Sequence, residues 1–285
     1  MITLAKLKQS LEFNKSLGTI IDILKTTALV QFRSFQFKEK PNPEFSKEIE
    51  DVFEIFGAKN IRHPYFFERL SLPSAIIIIT SDEGFLGGLN TLLINAALDS
   101  RRSKNDELVV LGERGAGYLE DLKESFVPFP GISDEAGWKE PERVADYVLG
   151  GYKKKFGGIF VSYPKFVSLT HQKVEVLQLL PRLPDTGPAD GSRRDREEVT
   201  MEPARHRVVE AAVELWVRYK LFEIFWLSKQ SEYAARIMHL EGSTYELSGL
   251  SQRLRFDYFR RVHALSDKTI REISAAKLLL NKMRS

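Results

Sequence analysis

The residues most suggestive of chemistry lie in the stretch TSDEGFLGGLN, Thr80 to Asn90. Gly84, Gly87 and Gly88 follow a run of four isoleucines, Ile76 to Ile79. A strand that feeds a glycine-rich turn is one arrangement that cradles phosphate. Such a cradle also needs a lysine and then Ser or Thr after its last glycine. Here Gly88 is followed by Leu89, Asn90 and Thr91, and Asp82 and Glu83 would repel a phosphate. The dinucleotide pattern G-x-G-x-x-G is absent. A second glycine turn, LGERGAG at Leu111–Gly117, has the wrong spacing. These glycines are therefore expected to serve close backbone packing where strands meet helices. His63, His171, His206, His239 and His263 form no pair at metal-ligand spacing, and no G-x-S-x-G elbow is present. With no cysteine there is no thiolate nucleophile, disulfide or cysteine metal site. The sequence assembles no catalytic constellation, and neither a cofactor nor a metal is expected.

The elements around these residues follow from the helix breakers. No proline occurs before Pro41 or after Pro203. Proline in a helix interior costs about 3 kcal/mol and glycine about 1. Two long terminal segments thus flank a turn-rich middle. The first carries Leu4, Leu7, Leu11, Leu17, Ile21, Leu24, Ala28, Phe32 and Phe35 at helical spacing. The last carries Ile237, Leu240, Leu247, Leu250, Leu254, Tyr258, Val262 and Leu265 as a stripe for a helical partner. Unbroken, that last helix would be about 120 Å long. It is read as pairing antiparallel with the first, or as shorter helices broken near Gly242 and Gly249.

In the middle, strands are expected at Ala75–Thr80, Leu108–Leu111, Ile159–Tyr163 and Lys173–Leu180, with helices at Leu89–Asp99, Ala116–Ser125 and Pro141–Lys155. This alternation implies an α/β layer domain with a mostly parallel sheet. The expected organisation is an N-terminal coiled-coil helix over 1–58, an α/β foot over 59–200 and a C-terminal coiled-coil helix over 201–285. The polar stretch 186–200 reads as a mobile loop.

Charge and hydropathy narrow the function classes. The net charge is +3, too small to argue for nucleic acid. The terminal helices are locally basic, with Lys6, Lys8, Lys15, Lys25 and Arg33 near the start. Arg253, Arg255, Arg260, Arg261, Lys268 and Arg271 lie near the end. A basic rod would suit an acidic partner, and a solvated helix face explains the same charges. No stretch reaches the roughly 18 apolar residues of a membrane span, and the N-terminus lacks a signal-peptide core.

On these residues the chain resembles the γ subunit of F-type ATP synthases. That family's loop reads S-D-R-G-L-C-G-G-L-N, and Ser81–Asn90 reads SDEGFLGGLN. Its C-terminal helix carries S-E-x-x-A-R-M-x-A-M, and Ser231–Leu240 reads SEYAARIMHL. Tyr163–Val167 (YPKFV), Gln178–Pro181 (QLLP) and Ile20–Arg33 match further family stretches in order. The resemblance implies an antiparallel coiled coil of the terminal helices with a Rossmann-like α/β domain between them. It implies a non-catalytic rotor shaft inside a ring of α and β catalytic subunits, whose foot meets the ε subunit and the membrane c-ring. It also implies a peripheral place at the cytoplasmic face of a bacterial membrane, coupled to protons or sodium ions. No nucleic-acid partner and no direct membrane insertion are expected. The expected rotor–stator contacts are Lys25, Glu83, Leu86, Val262, His263 and Lys268. Four of these positions depart from the family: Glu83 stands where it has arginine, Leu86 where it has cysteine, and Val262-His263 where it often has Arg-Gln. The competing readings are an α/β nucleotide- or sugar-binding enzyme with helical extensions, and a coiled-coil scaffold unrelated to an ATPase.

Overall fold

A computed structural model describes residues 3–38, 40–58, 63–135, 137–182 and 204–282. The expected loop at 186–200 lies outside the described residues. The chain runs α1 (Leu4–Gln36), α2 (Pro43–Ala58), β1 (Ser74–Ile79), α3 (Leu89–Asp99), β2 (Glu107–Leu111), α4 (Glu113–Asp121), β3 (Phe126–Phe129), α5 (Lys139–Tyr152), β4 (Gly158–Ser168), β5 (His171–Leu180) and α6 (Arg205–Lys282). By packing it divides into two units, Val30–Arg236 and Met1–Leu29 with Ile237–Ser285.

The unit Val30–Arg236 is built on a five-stranded sheet of order β3-β2-β1-β4-β5. The first four strands in that order run parallel, and β5 turns back antiparallel on β4. All six residues of β1 are buried, as a central strand covered on both faces requires. Alternate residues serve opposite faces. Ile77 and Ile79 join a core with Val148 and Tyr152 of α5, Phe53 of α2, and Val217 and Phe225 of α6. Ile76 and Ile78 join Leu93 and Ile94 of α3 and Leu119 of α4.

Two elements went unread in the sequence. β3 is a four-residue edge strand containing Pro128, a residue that an edge strand tolerates and that reads as a turn. The single coiled-coil helix expected over 1–58 is two helices. Pro43 opens α2, where proline loses no intrahelical bond, and the Asn42 side chain accepts the Glu44 N–H at 3.0 Å. The expected domain limits are corrected with it. α2 and the α6 residues before Ile237 belong to the α/β unit, because Ile49, Phe53, Phe56, Trp216 and Val217 are buried in its core.

In the other unit, α1 shows a strict seam. Leu7, Asn14, Ile21 and Ala28 are buried at intervals of seven, with Leu4, Leu11, Gly18 and Lys25 half-buried between them. Asn14 donates to the Ser251 hydroxyl at 3.4 Å. A Cβ on Gly18 would lie 3.5 Å from Leu247, and the Lys25 ammonium reaches Glu241 at 2.9 Å. Each step forward along α1 meets a matching step back along α6, so the pair is antiparallel. The α6 side of the seam is Ile237, Leu240, Thr244, Leu247, Ser251, Leu254 and Tyr258, at alternating spacings of three and four. Leu250 and Leu265 fall off this stripe and are half exposed, contrary to the sequence reading. α6 does not break at Gly242 or Gly249; a Cβ at either would meet open space.

Candidate functional site

The two glycine turns meet at the C-terminal ends of β1 and β2, within the α/β unit. Gly112 has φ +96°, and a Cβ there would come within 2.8 Å of the Ser81 backbone. A Cβ on Gly115 would overlap the Thr80 Oγ1 at 2.2 Å. Thr80 uses that hydroxyl twice, donating to the Leu111 carbonyl at 2.5 Å and accepting the Gly115 N–H at 3.1 Å. The Asp82 carboxylate accepts the Glu113 N–H at 3.0 Å and the Gly131 N–H at 3.2 Å. It thereby ties together the turns that follow three strands, and it faces the amino end of α4, where a negative charge is favoured. Ser81 donates to the Glu83 carbonyl at 2.7 Å and accepts from Asn90 at 3.0 Å. Close approach accounts for Gly112 and Gly115 and a positive φ for Gly87, whereas a Cβ on Gly88 or Gly117 would meet open space.

The sheet order reverses between β1 and β4, and in open α/β sheets that switch point is where ligands enter. Here α6 fills it. Ser228 and Glu232 line the crevice together with Thr80, Ser81, Asn90 and Pro164, leaving room of about 10 Å³. A small-molecule pocket occupies several hundred Å³. At this switch point the space is far below that of a nucleotide or sugar pocket.

The stretch of α6 that fills the switch point is buried all round. From Leu221 to Arg236 only Glu223 and Leu227 are partly accessible. Its polar groups form one chain of alternating charge. Glu83 meets Arg236 at 3.2 Å, Arg236 meets Glu232 at 2.8 Å, Glu232 meets Lys229 at 3.3 Å, and Lys229 meets Asp134 at 3.2 Å. The two cations and Glu232 are the buried members, and Glu83 and Asp134 are the exposed ends. Burying a charge is tolerated when its partners are in place, as they are here. The Tyr233 hydroxyl donates to Asp134 at 2.6 Å, and Gln31 donates to the same carboxylate at 3.2 Å. Burial disfavours the charge of Asp134, but Tyr233 and Lys229 outweigh it and hold the carboxyl below its ordinary range. Burial, and then the bond to Asp134, push the Tyr233 phenol up. Ser231 ties the helix to β4, its hydroxyl lying 2.8 Å from the Pro164 carbonyl.

The residues expected at a rotor–stator contact are dispersed. Glu83 is exposed on the glycine loop and paired with Arg236. Leu86 is 7% exposed and packs in the core between loop, sheet and α3, so its side chain is not displayed for a partner. An aliphatic side chain under a glycine loop closes the core, and the exposed apolar group beside it is Phe85, at φ 64°. Lys25 lies in the coil seam, where its bond to Glu241 raises its pKa despite some loss of hydration. Asp22 stands 3.6 Å from it. Val262 is half-buried, His263 is exposed, and Lys268 is exposed at 3.8 Å from Glu272. From His263 to Lys277 every residue of α6 is exposed.

The charge chain is the part that the sequence reading missed. Lys229, Glu232 and Arg236 stand at helical spacing inside an otherwise apolar, aromatic run, which was a usable signal. Asp134 comes from a loop and carried none.

Among the described residues, no helix is long and apolar enough to cross a membrane. The sequence profile of the ATP synthase family matches residues 3–276. The ATP synthase gamma chain of Clostridium acetobutylicum is 29% identical over 255 residues, covering 85% of this chain and 87% of that one. That of Clostridium novyi is 27% identical over 278 residues, covering 96% and 95%. Among solved structures, a chain of the Euglena gracilis mitochondrial ATP synthase (OSCP/F1/c-ring, rotational state 3) superposes with a TM-score of 0.71 at 15% identity. The match covers 99% of this chain and 96% of that one. A profile that spans nearly the whole chain, relatives of matching length and a shared fold lead to one conclusion: the chain belongs to the ATP synthase family, among its gamma chains.

Proposed function

We propose that this chain is the central shaft of an F-type ATP synthase, turning inside a ring of α and β subunits while its foot bears on the ε subunit and the membrane c-ring. The observation that carries this reading is the antiparallel coil, joined at 14 to 251, 18 to 247 and 25 to 241, in a chain matched by the family over residues 3–276. The chain performs no chemistry of its own. It presents unequal faces to the catalytic subunits in turn, and each face favours one conformation of the site it meets. The coupling ion is a proton or sodium, and the complex sits at the cytoplasmic face of a bacterial membrane.

Glu83 on the loop and Val262, His263 and Lys268 on α6 are the stator contacts in this reading. Lys25 contributes by fixing the coil through Glu241, and Leu86 by supporting the loop from beneath. Capture of the tagged full chain from its source tests the proposal. Catalytic α and β subunits are expected to co-purify, and their absence would overturn it. In the assembled complex, Glu83→Arg is expected to change the ATPase rate; an unchanged rate removes Glu83 from the contact set.

A further inference from the structure

We propose that the crevice at the β1–β4 switch point binds a single water molecule that joins the glycine loop to α6. Ser228 is 2% exposed, and its fully buried hydroxyl has no hydrogen-bond partner in the protein. A buried hydroxyl is ordinarily satisfied, and one left bare needs a cause. Ser231, one turn later, shows the usual solution: it donates to the Leu227 carbonyl four residues back at 2.8 Å and also reaches Pro164. Ser228 makes no such bond. It lines a crevice with room of about 10 Å³, about what one water centre occupies.

The lining selects the ligand. A buried water needs two to four polar partners. The Ser228 hydroxyl is free to bond. The Ser81 oxygen donates to Glu83 and accepts from Asn90, and a hydroxyl oxygen has a second lone pair to offer. Glu232 also lines the space, and its carboxylate is bonded to Lys229 and Arg236. That carboxylate repels an anion. Its charge is already met by Lys229 and Arg236, so a further cation would face two others. A small neutral molecule that both donates and accepts is the remaining class, and water is the one that fits. It would link Ser81 on the loop to Ser228 on the helix, near the pair formed by the exposed Glu83 and the buried Arg236.

A structure of the full chain in its assembled complex, at a resolution that shows ordered solvent, tests this directly. A peak within hydrogen-bond distance of the Ser228 Oγ, inside the crevice, is expected. No peak, or a Ser228 hydroxyl turned onto the carbonyl of Ile224, would overturn the proposal. Hydrogen exchange of the Ser228→Ala chain is an independent check. Amides in the loop 82–90 are expected to exchange faster on the order of fivefold, with those of β2 unchanged. Loop exchange at the unaltered rate would count against the water.

Discussion

One helix lives in two environments. Between Leu221 and Arg236, α6 is buried on nearly every side, and its charges neutralise one another in a chain. From Ile237 onward it buries a single stripe, and that stripe holds Thr244 and Ser251 as well as leucines. Facing them on α1, Asn14, Gly18, Lys25 and Ala28 stand among Leu7, Leu11 and Ile21. The first region has the packing of a domain interior. The second is a thin seam that polar bonds keep in register. A single polar seam residue fixes register in a coiled coil at some expense in stability, and here Asn14–Ser251 and Lys25–Glu241 supply two. The same backbone thus serves as a fixed axle inside the α/β unit and as a lightly built pair outside it.

That contrast is open to direct test. Phe225→Ala, at a site 2% exposed in the main core, is expected to cost about 3–5 kcal/mol in denaturant unfolding of the full chain. Glu232→Ala leaves Lys229 and Arg236 buried without their shared anion. A loss of about 3 kcal/mol is expected, read as a lower urea midpoint. Were it nearly neutral, the charge chain would not be the buried unit described. In the coil, Ile21→Ala is expected to cost only about 2 kcal/mol, because its seam is narrow and 8% of the residue is still exposed. An equal loss at Ile21 and Phe225 would erase the distinction between the two regions.

At the rim, Glu83→Gln is expected to change stability by less than about 1 kcal/mol, since its carboxylate is 69% exposed. The pH dependence is the shallowest effect. Asp134 has a lowered pKa, so its contribution is complete above the unfolded carboxylate range and is lost as acid protonates the folded group. Tyr233 has a raised pKa, so its contribution holds below about 10 and fades as pH rises further. Asp134→Asn should flatten the acid limb of a stability–pH curve while leaving the neutral region nearly level.

The coil was largely legible because its signal is periodic. Every residue from Leu4 to Ala28 cited for helical spacing lies in the seam or beside it, Phe32 and Phe35 are buried in the α/β unit, and only Leu250 and Leu265 misled. Those two are apolar residues near the stripe, and spacing alone cannot assign one helix face out of two adjacent ones. The isoleucine strand and the helix at Leu89–Asp99 were equally clear. α2 was absorbed into the first helix because apolar residues continue past the proline pair. The candidate site was half legible. Asp82 and the glycines could be denied a phosphate role from residue types alone. Their actual partners could not be foreseen: the turn at Gly112–Gly115 and the Gly131 amide reach the loop only through the sheet. Glu83 is the clearest case. Its charge departs from the family's arginine, and its partner within the chain, Arg236 at 3.2 Å, lies far along the sequence on α6.

The spacing of Leu7, Asn14, Ile21 and Ala28 carries one more consequence. A seam that returns every seven residues falls short of two full helical turns, and the two helices compensate by winding left-handed around each other. A left-handed rope is chiral under load. Turned one way its strands draw together and the seam tightens; turned the other way they part.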